Sequence, residues 1–335
     1  MNVGRCRCAF TGETAMSTTG QYGFLDNKNL IGIWDQMYEP ALNGVWATGI
    51  STPVNSSMET ESYGWLGAAP SMEPMNGDDS NEEQLGKYAY FLRNIEYAKT
   101  LKIAEKDLRR DKLGQIEMRI GEMAEKAAEH WNLLVSKAIS ANGNGYDGAA
   151  FFSTAHPESG SNQSNALDSG QIAALDVVTP TAPTPLEAAQ ALNSVIGAFY
   201  TLVDDKGDPI NGQAKKFKVM VGTTSLYSPF AQATSLLTFA QGAQNPVLGL
   251  KENNGVEISV ELNPRLSAIT NKFFVFRTDG RVRSFILQNE VDVTPAVSDR
   301  QNDEFIKFRR FLFSIYASRA VGYLRWQSAM QATLS

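Results

Sequence analysis

The sequence predicts an α+β fold, and three observations lead to this class. A long stretch in the first half repeats apolar residues every three or four positions. A segment just before it alternates apolar and polar residues, and the last third of the chain is rich in β-branched and aromatic residues. Because these elements do not form an alternating strand–helix–strand series, the pattern favours an α+β arrangement over a doubly wound sheet.

The long helix is predicted over residues 111–141. Asp111 favours its start, and Asn142-Gly143 supplies a stop. About thirty residues at 1.5 Å each would make a rod of roughly 45 Å. A single apolar stripe indicates that one side lies on a sheet or on another helix. The stripe consists of Leu113, Ile116, Ile120, Met123, Ala127, Trp131, Leu134 and Ala138.

A half-buried strand of about ten residues is predicted over residues 94–103. Ile95, Tyr97, Leu101 and Ile103 alternate there with polar residues, and Lys99 is the one polar break in the apolar row. We expect this strand to extend well beyond a compact core.

Further elements follow in the second half. Thr184-Pro185-Leu186-Glu187 is typical of a capped helix start, and that helix is expected to run to about residue 202. A buried strand over 217–222 and a helix over 225–239 come next. Asp279-Gly280 is a hairpin signal between two later strands. The predicted strands of the last third are 256–262, 273–277, 282–293 and 308–323.

The N-terminal part, residues 1–58, lacks periodicity and carries scattered aromatic residues. It is either a strap that packs on something else or an irregular N-terminal subdomain. Residues 59–86 are expected to be loop-like around Gly77, which lies in a strong turn sequence.

The composition of the chain argues against several classes of protein. The 335-residue chain has a net charge of −6, so tight binding of nucleic acid over its whole surface is not expected. It contains no run of about 18 apolar residues, which argues against a transmembrane helix and a membrane partner. Cys6 and Cys8 are poorly placed to bridge each other, which suggests a reducing compartment. No metal site or cofactor is expected.

The usual catalytic motifs are absent from the sequence. Ser153 and His156 are near neighbours, and a serine hydrolase using them is one alternative function. The other interpretation is that the preceding aromatic residues anchor in a core and His156-Pro157 ends a strand. The acidic pairs Asp78-Asp79 and Asp204-Asp205 are interpreted as solvated turn residues.

Two basic stretches, residues 99–112 and 307–325, support a second alternative, a nucleic-acid-binding protein. If residues 307–310 lie in a strand, Lys307 and Arg309 lie on one face and Arg310 on the other, so the basic side chains do not form one continuous stripe. Salt bridges between subunits are the favoured use of these residues.

Four short pieces of sequence stand out between residues 63 and 157. They are Tyr63-Gly64-Trp65-Leu66-Gly67 with the following Ala68-Ala69-Pro70 and Gly77-Asp78; Tyr97-Ala98-Lys99-Thr100-Leu101-Lys102-Ile103; Asp111-Lys112-Leu113-Gly114; and Tyr146-Asp147-Gly148 with Phe151-Phe152-Ser153-Thr154 and His156-Pro157. In these pieces and their order the chain resembles the major head subunit family of Mu-like tailed phages, often called gpT-like. No piece is decisive alone, but together they are fairly specific. Where the family commonly has a tryptophan and an arginine around the loop glycine, this chain has Pro74-Met75-Asn76 and Asp78-Asp79.

The resemblance implies a Hong Kong 97-type capsid fold and a structural protein rather than an enzyme. In that fold the helix at 111–141 would be the spine helix of a peripheral domain. The implied divisions are an N-terminal arm (1–58), an extended loop (59–110), a peripheral domain (111–182), an axial domain (183–272) and C-terminal strands that return to the peripheral domain (273–335).

The implied function is that of a major capsid protein, which assembles with itself into hexamers and pentamers of an icosahedral shell around double-stranded DNA. Portal, scaffold or protease, and decoration proteins are implied as further partners. The implied location is the virion capsid, assembled in the host bacterial cytoplasm. The residues expected to make assembly contacts are Trp65, Gly77, Tyr97, Lys99, Arg109, Arg110, Trp131, Arg309 and Arg310.

Overall fold

The computed structural model describes residues 27–65, 88–110, 114–158, 161–204, 207–239 and 242–335. Over these residues the chain forms helices and strands in two sheets and two small hairpins. The helices are α1 (Asn27–Ala41), α2 (Ala47–Ile50), α3 (Glu105–Arg110), α4 (Gln115–Ala128), α5 (His130–Ala141), α6 (Pro185–Thr201), α7 (Thr224–Ser235), α8 (Pro246–Asn254) and α9 (Asp303–Phe308). The strands are β1 (Ser51–Asn55), β2 (Thr60–Trp65), β3 (Tyr88–Arg93), β4 (Ile95–Ala104), β5 (His156–Glu158), β6 (Ser161–Gln163), β7 (Ala166–Leu167), β8 (Lys216–Val221), β9 (Glu257–Leu262), β10 (Lys272–Arg277), β11 (Phe285–Val297), β12 (Arg310–Tyr323) and β13 (Ala329–Thr333).

The first sheet has the order β1-β11-β12-β4. β12 pairs with β4 in antiparallel register from Arg310↔Ala104 to Arg319↔Ile95, which confirms the strand predicted over residues 94–103. Burial increases along β4, from Ile95, which is 53% exposed, to the buried Ile103. The strand therefore leaves the core at its N-terminal end, and it lies at the edge of the sheet.

A helical layer covers one face of this sheet. Leu30 and Trp34 of α1 are buried together with Ile120 of α4 and Phe313 of β12. The Trp34 and Phe313 rings lie 5.8 Å apart. Helix α1 corrects the prediction of an aperiodic segment over residues 1–58. β1 and β2 likewise form in segments that were predicted to be aperiodic or loop-like.

The second sheet has the order β7-β13-β10-β8-β9. Its central strands are apolar on both faces: Phe273, Phe274, Val275 and Phe276 of β10 are all buried. Helix α6 contributes much of the surrounding core and begins with the predicted cap. In this cap the Thr184 side chain accepts a hydrogen bond from the Glu187 amide, and the Glu187 side chain accepts one from the Thr184 amide. This sheet combines strands from both the 183–272 and the 273–335 ranges.

The predicted continuous helix over 111–141 is corrected to two consecutive helices. Gly114, with φ +64°, precedes α4, and a turn at Glu129 separates α4 from α5. Backbone hydrogen bonds still run through the turn, since the Glu129 amide donates to the Glu125 carbonyl and the Leu133 amide donates to Glu129. The C-terminal stop is confirmed, because Asn142 adopts a left-handed conformation with φ +46°.

Two strand predictions were also wrong. Asp279-Gly280 does not close a hairpin, because β10 and β11 belong to different sheets. Instead the Asp279 carboxylate accepts hydrogen bonds from the Lys215 amide and from Arg277 Nε. The last long strand begins at Arg310 rather than at residue 308, since Asn302 caps the short helix α9 before it. Lys307 therefore lies on a helix, and the alternation predicted for it does not apply.

Candidate assembly surface

The exposed face at the β4 edge contains two of the predicted contact residues. Tyr97 is half-buried and meets His130 of α5 edge-on, with ring centroids 4.4 Å apart. Lys99 lies opposite Ile315 of β12 and is exposed. Between this edge and α4 lies a cleft of about 230 Å³ with mostly apolar walls. Among the described residues that line it are two exposed lysines, Lys99 and Lys126, and no acidic side chain.

A buried arginine lies beside this face. The Arg319 side chain is 1% exposed, its guanidinium carbon stands 4.4 Å from the Trp131 ring, and its Nη2 lies 3.3 Å from Asp292. Its Nε and Nη1 atoms are buried without a hydrogen-bond partner among the described residues. Burial lowers the pKa of Arg319, and Tyr38 of α1 and Asp292 oppose that effect. Arg319 thus connects α1, α5 and β11 at one point.

Trp131 lies on a helix as predicted, whereas Arg319, predicted as part of a basic stretch that makes salt bridges between subunits, is buried inside this one. The signal was available in part, because Ile315, Ala317 and Arg319 recur with a period of two in β12. An arginine in a row of inward-pointing apolar side chains indicates either that the row reaches the edge of the sheet or that the arginine is a buried cation. Which of these holds depends on Trp131 and Asp292, which lie far away in sequence.

His130 is neutral at physiological pH in this setting. Burial, followed by the charges of Arg319 and Lys137, lowers the pKa of His130 to about 4. The unfolded chain has no such surroundings, so its histidine titrates near the ordinary value of about 6.5.

Acidification from pH 7 to pH 4 is therefore expected to weaken the fold through His130. Between the two pKa values the unfolded chain binds a proton that the folded chain does not, so stability falls as the pH falls through this range. Because the ring is only partly buried, we expect a loss of about 1 kcal/mol rather than the full value of the shift. Urea unfolding at pH 7 and pH 4 should show a smaller loss in a His130→Phe variant than in the wild type. Equal losses in the two proteins would contradict the assignment.

The β2–β3 hairpin is fixed to the first sheet at its base. The Tyr63 hydroxyl donates to Gln288 Oε1 at 2.7 Å, and Gln288 Nε2 donates to Asn94 Oδ1 at 2.7 Å. Burial and the charge of Glu61 raise the pKa of Tyr63 to about 12, so its phenol remains a donor. Trp65 ends β2 and pairs with Tyr88. The Trp65 side chain and Gly77 lie outside the described residues.

A second group of predicted contacts lies where α9 enters β12. Arg309 is exposed and adopts a left-handed conformation with φ +50°, which is unusual for a residue other than glycine. Its carbonyl accepts a hydrogen bond from the Glu105 amide at the start of α3. Arg310 pairs with Glu304 at 2.5 Å, and its guanidinium stands 4.5 Å from the Phe308 ring. Arg110 ends α3 and is exposed; the Arg109 side chain lies outside the described residues.

The basic stretches do not form a continuous cationic stripe within the part of the chain that the structure describes. Lys307 pairs with Asp303 at 3.0 Å, and Arg310 and Arg319 pair with Glu304 and Asp292. These ion pairs lie within one chain, and the salt bridges between subunits stay a prediction.

The Ser153–His156 arrangement required by the hydrolase alternative does not form between the described side chains. The ring nitrogens of His156 contact Asp147 Oδ2 and Asn165 Oδ1. Ser153 Oγ accepts a hydrogen bond from the Ala155 amide. His156 is fully buried, so its ring cannot reach a substrate. The interpretation of Phe151 and Phe152 as core anchors is confirmed, whereas His156-Pro157 begins β5 rather than ending a strand.

The described residues contain no cluster of histidine, cysteine and acidic side chains that could hold a metal ion. Within the same residues, no helix is long and apolar enough to cross a membrane. Cys6, Cys8 and Asp78-Asp79 lie outside the described residues. Asp204 closes a turn by accepting from the Asp208 amide at 2.9 Å, but it is buried rather than solvated as predicted. Asp205 lies outside the described residues.

Comparison with known sequences supports the resemblance seen in the motifs. Residues 28–182 match the profile of the Mu-like prophage major head subunit gpT. The chain is 31% identical over 112 residues to the Mu-like prophage FluMu major head subunit of Haemophilus influenzae, and 31% identical over 110 residues to the major capsid protein of Escherichia phage Mu. These matches span 33% and 32% of this chain and 36% of the length of each relative. The resemblance is confirmed.

Comparison with solved structures confirms the Hong Kong 97-type fold. The capsid structure of the cyanophage P-SCSP1u is similar with a TM-score of 0.53 and 12% identity, over 85% of this chain and 86% of that one. The mature capsid of bacteriophage PhiM1 is similar with a TM-score of 0.52 and 11% identity, over 87% of both chains. These neighbours and the matching family are structural capsid proteins, not enzymes.

Proposed function

We propose that this chain, whose residues 28–182 belong to the Mu-like gpT major head subunit family, is the major capsid protein of a tailed-phage head. The proposal rests on the observation that the same chain has both the family match and the capsid fold. The matched residues include the β2–β3 hairpin, β4 and the α4–α5 spine, and the fold likeness extends over most of the remaining chain.

The surface of a single subunit supports a role in assembly. β4 is an edge strand, so one side of its backbone has no strand partner in the described sheet. Large apolar side chains are exposed near this edge, on α4 and on α9; they are Phe91, Ile95, Met118, Ile306 and Phe308. Neighbouring copies in a closed lattice would bury such surface through heterologous contacts.

The proposed partners are other copies of this chain, arranged as hexamers and pentamers of an icosahedral shell. Portal, scaffold or protease, and decoration proteins complete the proposed head. Double-stranded DNA would meet the inner surface without sequence preference, and this contact is expected to be weak because the chain has a net charge of −6. The proposed location is the virion head, after assembly in the bacterial cytoplasm.

Within this proposal eight of the nine predicted contact residues serve at interfaces between subunits, and Trp131 is the exception. The exposed positions among those described, Lys99, Arg110 and Arg309, are available for such contacts. Trp131 acts instead through the packing of Arg319. The proposed division into arm, extended loop, peripheral domain and axial domain keeps the ranges given above.

Electron microscopy of the purified chain tests the proposal directly. Negative staining, with and without a co-expressed scaffold and protease from the same genome, should show rings, shells or tubes. A compact particle that remains monomeric under all of these conditions would contradict it.

Removal of residues 66–87 is expected to spare folding and to abolish shell formation. Trp65 and Tyr88 pair directly, so a two-residue Asn-Gly turn can close the β2–β3 hairpin in place of the 22 deleted residues. The variant should keep the thermal unfolding midpoint of the unassembled wild-type subunit within a few degrees and show no shells by electron microscopy.

A matched control replaces the same 22 residues with a Gly-Ser linker of equal length. If this segment makes specific contacts, the control is expected to fail in assembly as well. Shells formed by either variant would remove this segment from the assembly surface. Loss of the soluble fold in both variants would show that the segment supports the subunit itself.

A further inference from the structure

His156 lies at the junction between the two sheets. Its ring is fully buried and stacks on Trp326, with centroids 4.0 Å apart and planes 5° from parallel. Trp326 lies in the short connection between β12, which belongs to the four-stranded sheet, and β13, which belongs to the five-stranded sheet. The His156 ring therefore packs directly against the place where the chain passes from one sheet to the other.

The orientation of the Asn165 amide is fixed by its surroundings. Its Nδ2 faces three backbone carbonyl oxygens, those of Phe151 at 2.8 Å, Trp326 at 3.3 Å and Ala329 at 3.2 Å. Its Oδ1 accepts from the Ser153 amide at 2.9 Å. The reversed amide would set an oxygen against three carbonyls and a nitrogen against an N–H group, so it is excluded.

This orientation determines what His156 Nε2 must do. Nε2 lies 3.1 Å from Asn165 Oδ1, which is an amide oxygen and can only accept. A hydrogen bond at this position requires a proton on Nε2.

The other ring nitrogen faces a second acceptor. Nδ1 lies 2.5 Å from Oδ2 of Asp147, whose side chain is 7% exposed and whose Oδ1 accepts from the Ala149 amide. The contact is short, as expected when donor and acceptor are both charged. Of the residues that contact the ring, Asp147 is the acidic one, because the side chains of Asn165 and Trp326 carry no ionisable group.

We propose that His156 carries a proton on both ring nitrogens and forms with Asp147 a buried charged latch that closes the junction between the two sheets. Loss of either proton sets a nitrogen lone pair against an oxygen acceptor, so deprotonation opens the latch. The device concerns the subunit and is independent of the proposed function.

Nuclear magnetic resonance of the full chain labelled with ¹⁵N-histidine tests the proposal. The sequence has two histidines, His130 and His156, so a His130→Phe variant assigns the signals. Magic-angle-spinning spectra of sedimented protein apply to subunits and assemblies alike. At pH 7 both ring nitrogens of His156 should carry protons, whereas His130 should show one bare nitrogen. A bare nitrogen on His156, as in a neutral ring beside a protonated Asp147, would overturn the proposal.

An alkaline titration tests the latch itself. When the His156 ring loses a proton, the amides of Ser153 and Gln331, which donate to the Asn165 side chain and carbonyl, should lose protection against hydrogen exchange. The Ala188 amide in α6 is the internal control and should keep its protection factor. Unchanged protection at Ser153 and Gln331 after deprotonation would overturn the latch.

An Asp147→Asn variant provides a second test under milder perturbation. The amide keeps the size of the carboxylate but removes its charge, so His156 should show one bare ring nitrogen at pH 7. A ring that stays doubly protonated in this variant would show that Asp147 is not the partner.

Discussion

Replacement of Arg319 by alanine is expected to lower the unfolding free energy by about 3 kcal/mol, whereas methionine is expected to change it by about 1 kcal/mol or less. Alanine leaves a cavity among Trp131, Tyr38 and the sheet and removes the stacked guanidinium. Methionine fills most of that space. It also removes a buried cation whose Nε and Nη1 have no hydrogen-bond partner among the described residues.

The two variants are expected to differ because burial disfavours the charged form of Arg319 more than Tyr38 and Asp292 stabilise it. Asp292 is 76% exposed, so water screens its attraction for the guanidinium. Removing the arginine leaves no buried orphan charge, because Asp292 simply returns to solvent. Packing volume, rather than the ion pair, is therefore what the fold needs at this position.

Urea unfolding of the unassembled subunit measures both variants, and Arg319→Lys completes the series. Lysine keeps the charge but cannot stack a planar group on Trp131, so it is expected to be less stable than methionine. A methionine variant as unstable as alanine would show that the charge itself holds α1 and the sheet together.

The local elements of this fold follow from short-range sequence signals. Thr184, Pro185 and Glu187 predict the start of α6 because the cap is made by residues three apart. The alternation around Tyr97 predicts β4, and Asn142 predicts the end of α5. Each of these signals depends on neighbours in the chain, and in each the structure agrees.

Other features depend on partners that are distant in sequence. Helix α1 buries Leu30 and Trp34, but Asn27, Gly32 and Pro40 weaken its local helical signal, and its stability comes from α4 and Phe313. Asp279-Gly280 has the local chemistry of a hairpin turn. The adjoining strands nevertheless lie in different sheets, where β10 pairs with β8 and β11 pairs with β12.

In the candidate site, too, local sequence signals predicted some residues and missed those whose partners are distant in sequence. The sequence predicted Tyr97, Lys99 and Trp131 through their family motifs and periodicity, but not Arg319 or the Asn165 network. Asn165 contacts Phe151 and His156 nearby in the sequence, and it also contacts the Trp326 and Ala329 carbonyls far along the chain. A single asparagine in a polar connection gives no sign that these groups converge on it.

Gly222→Ala is expected to have the largest effect of any single methyl group in the described chain, with a loss of at least about 3 kcal/mol. A Cβ at this position would lie 2.2 Å from the Leu266 carbonyl oxygen and 2.7 Å from its carbon. Both are backbone atoms, so no side-chain rotation can relieve the clash. Moving the turn away would also break the bond from the Asn263 amide to the Val221 carbonyl.

Gly249→Ala is the matched control, because it adds the same methyl group inside α8 where nothing lies within 4 Å. Alanine favours a helix interior over glycine by up to about 1 kcal/mol, so this variant should be as stable as the wild type or more so. Thermal unfolding of the two variants should therefore shift in opposite directions. A Gly222→Ala protein that unfolds at the wild-type temperature would mean that the end of β8 and the 264–266 turn do not approach as closely as described. The close approach matters to the whole subunit, since Asn263 also donates to Ser136 of α5 and so joins the second sheet to the spine.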